Sequence, residues 1–148
     1  MYKHILVPTD GSKLSQKAVK AAADLAATTG ARMTALYVMP EYIPPIYGEA
    51  SLYITQVSPA NFRKSMEKGA AAALAMVAKQ AEAAGVKYAG VKSTGAQPWT
   101  VIVNAARSKK CDLIVMASHG RSGMSGLLLG SETTKVLTHT KVPVLVVR

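Results

Sequence analysis

The stretch from Ala117 to Ser131 carries glycine at positions Gly120, Gly123, Gly126 and Gly130 and follows the apolar run Leu113-Ile114-Val115-Met116 directly. Glycine has no Cβ, so the backbone N–H groups of such a loop can approach an anion closely. A helix opening at Gly130-Ser131 adds unsatisfied N–H groups and the positive end of its dipole. The chemistry this permits is a phosphate cradle. A glycine-rich turn that only carries the chain from strand to helix has the same composition, because the pattern is weak until its strand–loop–helix context is known.

The other reactive side chains form no recognisable catalytic set. No Gly-x-Gly-x-x-Gly follows the first strand and no Gly-x-x-x-x-Gly-Lys-Ser/Thr loop occurs, so both the dinucleotide fingerprint and the phosphate-binding lysine are missing. His119 lacks a neighbouring Ser/Asp constellation, and His4 and His139 show no zinc-like spacing with it. The composition of the loop therefore favours holding a phosphate over cutting one. Asp10, in Pro8-Thr9-Asp10-Gly11-Ser12, is either a turn-capping residue or part of a polar crevice. Ser131 is either a helix N-cap or a phosphate contact. Arg121 reads as an exposed side chain able to offer a countercharge, and Trp99 as helix packing.

These residues need elements to position them. Apolar periodicity places a strand over about Lys3 to Val7 and a helix starting at Ser12 or Ser15 and stopping at Gly30. Leu14, Ala18, Ala21, Ala22 and Leu25 form one face of that helix. A second strand runs from about Arg32 to Val38, and Met39 to Ala60, with four prolines, reads as an excursion of little regular structure. A long helix over about Asn61 to Ala84 buries Phe62, Met66, Ala70, Ala73, Val77 and Ala81. A weaker strand lies near Lys87 to Lys92 and a helix begins at Gln97-Pro98. Asp112 to Ala117 is a strand, Gly130 or Ser131 to His139 a helix, and Pro143 to Val147 the last strand. Such alternation predicts a parallel sheet covered on both faces by helices. Ligands then sit beyond the carboxyl ends of the strands, where the winding reverses.

The chain has 148 residues, enough for one domain with a core that needs no disulfide. Its single cysteine, Cys111, opens an apolar strand and reads as a small hydrophobe. No signal-peptide pattern or membrane-length apolar run is visible, which predicts a soluble, cytoplasmic protein without a membrane partner. The 18 Lys and Arg against 8 Asp and Glu give a formal charge of +10 and favour anionic partners. With one Phe, one Trp and basic residues spread over most elements, there is no base-stacking platform, so nucleic acid is not the expected partner.

Taken together, Ile5 to Ser12, Val115 to Arg121 with Gly130-Ser131, and Val142-Pro143-Val144-Leu145-Val146-Val147 resemble the universal stress protein family, UspA-like, over essentially all of residues 1–148. The resemblance implies a single doubly wound α/β domain with a five-stranded parallel sheet of order 3-2-1-4-5, which makes strands one and four neighbours. The family's ATP-binding branch resembles this chain in a Gly-x-x-Gly, nine residues, Gly-Ser/Thr pattern. Here Gly120, Arg121 to Leu129 and Gly130-Ser131 match it, and Ala117 stands where the first glycine would be.

By resemblance, Asp10 with Pro8 and Thr9 would face the adenine or its nearby polar groups, and Val38 would lie near the base. Ala117 and Gly120, among Met116, Ser118, His119, Arg121 and Gly123, would meet ribose and phosphate. Gly130, Ser131, Glu132 and Thr133 would surround the phosphates, with the Glu132 carboxylate repelling them unless it is turned away. Tyr42, Tyr47 and Tyr53 of the excursion could cover the base. The implied ligand is ATP or AMP, with Mg²⁺ as an ion accompanying the phosphates and no dedicated protein cage. The implied role is regulatory, in stress response, with little or slow hydrolysis. The alternative is an interaction module of the same fold that binds no nucleotide and acts through dimerisation or partner binding. The run Val144-Leu145-Val146-Val147 is strongly β-prone and would form a sheet edge, which predicts a homodimer through the last strand, as the resemblance also implies.

Overall fold

Short branched runs such as His4-Ile5-Leu6-Val7 suit a strand buried on both faces, and the spacing of the alanines between Ala18 and Ala26 suits a helix packed closely upon it. The computed structural model describes residues 1–43, 58–120 and 129–148. Its elements run β1 (His4–Pro8), α1 (Lys13–Thr29), β2 (Arg32–Met39), α2 (Pro59–Ala83), β3 (Tyr88–Thr94), α3 (Pro98–Ser108), β4 (Leu113–Ala117), α4 (Ser131–His139) and β5 (Val144–Val147). All the strand pairs are parallel, and the five-stranded sheet has the order β3-β2-β1-β4-β5. The expected alternation and strand order both hold. Expectations for Tyr47 and Tyr53, and for Arg121 and Gly123, lie outside the described residues.

Strand alternation sorts the core into two layers. Ile5, Val7, Met33, Ala35, Leu113 and Val115 face α1 and α2, meeting Ala22, Ala26, Val77 and Ala81. Leu6, Leu36, Ile114 and Met116 face α3 and α4, meeting Ile102, Ala106 and Val136. Each fully buried aliphatic side chain of this set stabilises the fold by about 1.5–3 kcal/mol relative to exposure.

The helix ends follow from local chemistry. Ser12 caps α1, its Oγ accepting the Ser15 N–H at 3.2 Å. Gly30 closes it at φ +71, a left-handed conformation in which a side chain is strained. α2 starts two residues before the expected Asn61, because Ser58 accepts the Asn61 N–H and Pro59 takes the first helical position. Its face is fully buried only at Ala70, Ala73, Val77 and Ala81. Phe62 and Met66, expected inside, are half-buried, in a start of α2 that is otherwise largely exposed. There Phe62 meets Tyr42 edge to face, with ring centroids 5.4 Å apart.

Candidate functional site

The carboxyl ends of β1 and β4 are adjacent, fixed by the pairing of Ile5 with Leu113 and Leu6 with Ile114. Beyond β1, the Thr9 N–H donates to Leu36 O at 2.9 Å, so the β1–β2 ladder continues one step before the chain turns. The turn is then held by side chains. Asp10 Oδ1 accepts the Ser12 N–H at 2.9 Å, Thr9 Oγ1 accepts the Gly11 N–H at 3.2 Å, and Thr9 Oγ1 lies 3.1 Å from Ser15 Oγ. Asp10 is thus an Asx-turn residue, and its carboxylate also faces the end of β4: a Cβ added at Gly120 would come within 3.0 Å of Asp10 Oδ2.

Beyond β4, the Ser118 N–H donates to Val147 O at 2.8 Å. The Ser118 carbonyl accepts the Gly130 N–H at 2.7 Å, which draws the start of α4 back onto the strand it follows. Thr133 Oγ1 donates to Ala117 O at 3.0 Å and is buried, making a second fastening between α4 and β4. Ala117 is itself an ordinary strand residue in the core, so its methyl group requires no left-handed backbone. Ser118 is buried, and its Oγ lies 3.1 Å from His119 Nδ1.

The N-cap of α4 is Gly130, not Ser131, and no side chain caps the helix. Gly130 is wedged in place: an added Cβ would lie 3.0 Å from His119 Cα and Cβ and 3.1 Å from Ser118 O. The helix therefore presents its first N–H groups and dipole at the carboxyl end of the sheet, beside an exposed Ser131. Glu132 does not add its charge there unopposed. Its Oε2 accepts the Trp99 N–H of α3 at 2.8 Å, and its Oε1 pairs with Lys135 Nζ at 3.1 Å. That cross-helix cap was missed from sequence, where the only cue was a Gln at position 97 instead of one of the preferred capping types, and Gln97 indeed makes no side-chain cap.

Of the residues expected at the site, Asp10, Ala117, Ser118, His119, Gly120, Gly130, Ser131 and Thr133 are gathered by these bonds and by the close approach of Gly130 to Ser118 and His119 and of Gly120 to Asp10. Pro8 and Met116 lie in the strands beneath. Val38 lies on β2, two positions past the Leu36 that pairs with Pro8, and packs against the α3-side core. Tyr42 is turned to Phe62. Among the described residues, no three His, Cys, Asp or Glu side chains converge to hold a metal ion. Nor, among the described residues, is any helix long and apolar enough to cross a membrane.

Comparison with known proteins follows the same architecture. The model of the universal stress protein family matches residues 1–148. Universal stress protein MJ0531 of Methanocaldococcus jannaschii is 36% identical over 151 residues, spanning 100% of this chain and 83% of that one. The universal stress protein UspA from Lactobacillus plantarum superposes with a TM-score of 0.78 at 26% identity, over 99% of this chain and 98% of the other. A crystal structure of a universal stress protein in complex with cAMP gives a TM-score of 0.73 at 28% identity, over 99% of this chain and 97% of the other.

Proposed function

The chain belongs to the universal stress protein family, and from that premise we propose that it binds an adenine nucleotide, ATP or AMP, at the carboxyl ends of β1 and β4 as a regulatory protein of the stress response. The observation that carries this reading is the start of α4. Gly130 leaves the helix without a side-chain cap, and the place a Cβ would take is closed by Ser118 and His119. Helix N–H groups in that state favour an anion, and a phosphate suits their geometry. The relative solved with cAMP supports an adenine nucleotide as the class of ligand.

In this reading the N–H groups of Ser131 and its neighbours hold the phosphates, and Gly120 lets the ribose approach beside Asp10. Asp10 and Val38 border the base. Engagement of Glu132 with Trp99 and Lys135 removes the repulsion that its carboxylate would otherwise exert. A divalent ion such as Mg²⁺ would be carried on the phosphates themselves. The Ser118 hydroxyl lies against the adjacent His119, but the residue is buried, which limits its access to a bound nucleotide. Binding with little or slow turnover fits such a site, well below the typical rate of about 10 per second.

Gly130→Val tests the cradle. The added atoms should cost about 1–3 kcal/mol through crowding and should abolish calorimetric binding of ATP in a protein that still unfolds cooperatively. Equal ATP affinity in variant and parent would sink the reading. Protein recovered from cells, denatured and assayed for released nucleotide separates it from the alternative of a nucleotide-free interaction module.

A further inference from the structure

At the end of the sheet opposite the carboxyl ends, we propose a second anion site, built for two or three linked phosphoryl groups and centred on Arg32 and Lys87. It stands independently of the nucleotide reading. Three neighbouring strands begin with a cation there: Lys3 just before β1, Arg32 at the first position of β2 and Lys87 just before β3. The backbone ties them side by side, the Arg32 N–H donating to Lys3 O at 3.0 Å and the Met33 N–H to Lys87 O at 2.8 Å. The register sets Arg32 and Lys87 side by side, about 5 Å apart, with Lys3 one residue out of step with Arg32, which pairs with His4.

Arg32 and Lys87 line two cavities. One, of about 310 Å³, has His4, Thr34, Tyr88 and Lys109 among its other walls. The second, of about 420 Å³, opens towards the ends of α1 and α2 and includes Lys3. Both are the size of small-molecule sites. Neither has a carboxylate in its lining, and among the described residues none of Lys3, Arg32, Lys87 and Lys109 forms an ion pair. The first cavity has a polar wall. His4 is only 6% exposed, with Nε2 2.8 Å from Thr34 Oγ1, and Nδ1 is buried without a partner of hydrogen-bonding geometry among the described residues.

The plainer role for these cations is to offset helix dipoles, because α1, α2, α3 and α4 all end on this side. Each helix end carries about half a negative charge. Together with Asp112, which accepts the Lys3 and His4 N–H groups, that amounts to about three negative charges against four full positive ones. The surplus remains available to a ligand. Asp112 also closes the row on the side of β4, so a long polyanion such as nucleic acid would run onto a carboxylate. A compact oligophosphate fits the short row, with the Arg32 guanidinium able to grip two oxygens at once.

Sodium tripolyphosphate is the probe, titrated calorimetrically at about 0.15 M salt into the parent protein with and without saturating AMP, whose single phosphoryl group does not fill a site built for two or three. Saturable binding should persist in both conditions. Arg32→Gln/Lys87→Gln should weaken it about tenfold or more, whereas Lys64→Gln/Lys68→Gln, which removes equal charge from exposed positions on α2, should leave it nearly unchanged. Gly130→Val should also leave it unchanged, even if ATP binding is lost or was never present. Absence of saturable binding, equal weakening in the two double variants, or loss in Gly130→Val would each overturn the proposal.

Discussion

His4 illustrates how one residue's surroundings become a property of the protein. Burial lowers its pKa from the ordinary 6.5, and the positive charge of Arg32 lowers it further, against the smaller opposing effects of the Lys109 backbone and Asp112. The unfolded chain therefore takes up this proton before the folded one does. Stability contributed by neutral His4 is present above about pH 6.5 and falls as the pH drops below it. Melting temperatures measured from pH 7.5 down to 5.5 should decline, and His4→Asn should flatten that part of the curve; identical slopes in the two proteins would refute the assignment. Cys111 behaves in the opposite sense. Burial pushes its thiol up to about 11, so it stays protonated and inert at neutral pH. Ellman's reagent at pH 8 should label it slowly in the native protein and rapidly in urea.

At the scale of elements, the contact between α4 and α3 is the one that can be removed most cleanly. Glu132 supplies α3 with the acceptor that Gln97 does not. Glu132→Ala should lower stability in urea by about 1 kcal/mol, in the range of a lost helix cap, and Glu132→Gln should lose less because it keeps an acceptor. A variant as stable as the parent would show that the bond contributes nothing. Such a contact is hard to see in a sequence because its partners lie 33 positions apart, whereas the elements themselves are written in local periodicity. Ser12 and Gly30 announce the ends of α1, and the Ser58-Pro59 signal for the start of α2 is equally local but sits at the end of a proline-rich stretch that masks it. The strand order came from resemblance, since periodicity does not say which strands adjoin. Asp10 and Gly120 were legible as turn residues, but their approach to one another depends on that order.

Across the whole molecule, β5 is an edge strand, and its Leu145 is 42% exposed. An apolar edge with unpaired backbone groups invites another strand. We propose that two copies of the chain pair antiparallel along β5, each satisfying the other about a twofold axis. Leu145→Lys should then shift the light-scattering mass from dimer to folded monomer at micromolar concentration, and a parent that is already monomeric there would dismiss the proposal.

The order of the strands has a temporal meaning as well. β1 lies at the centre of the sheet, but its partner on one side comes from a part of the chain about as distant as Asp112 is from Lys3, 109 positions along. During synthesis β1, β2 and β3 can assemble first, while the other edge of His4–Pro8 waits for β4 to emerge. A half-made chain on the ribosome thus carries, in the open, one of the two strands that the finished protein hides most completely. That interval is when it is most exposed to aggregation and when a chaperone would have most to hold.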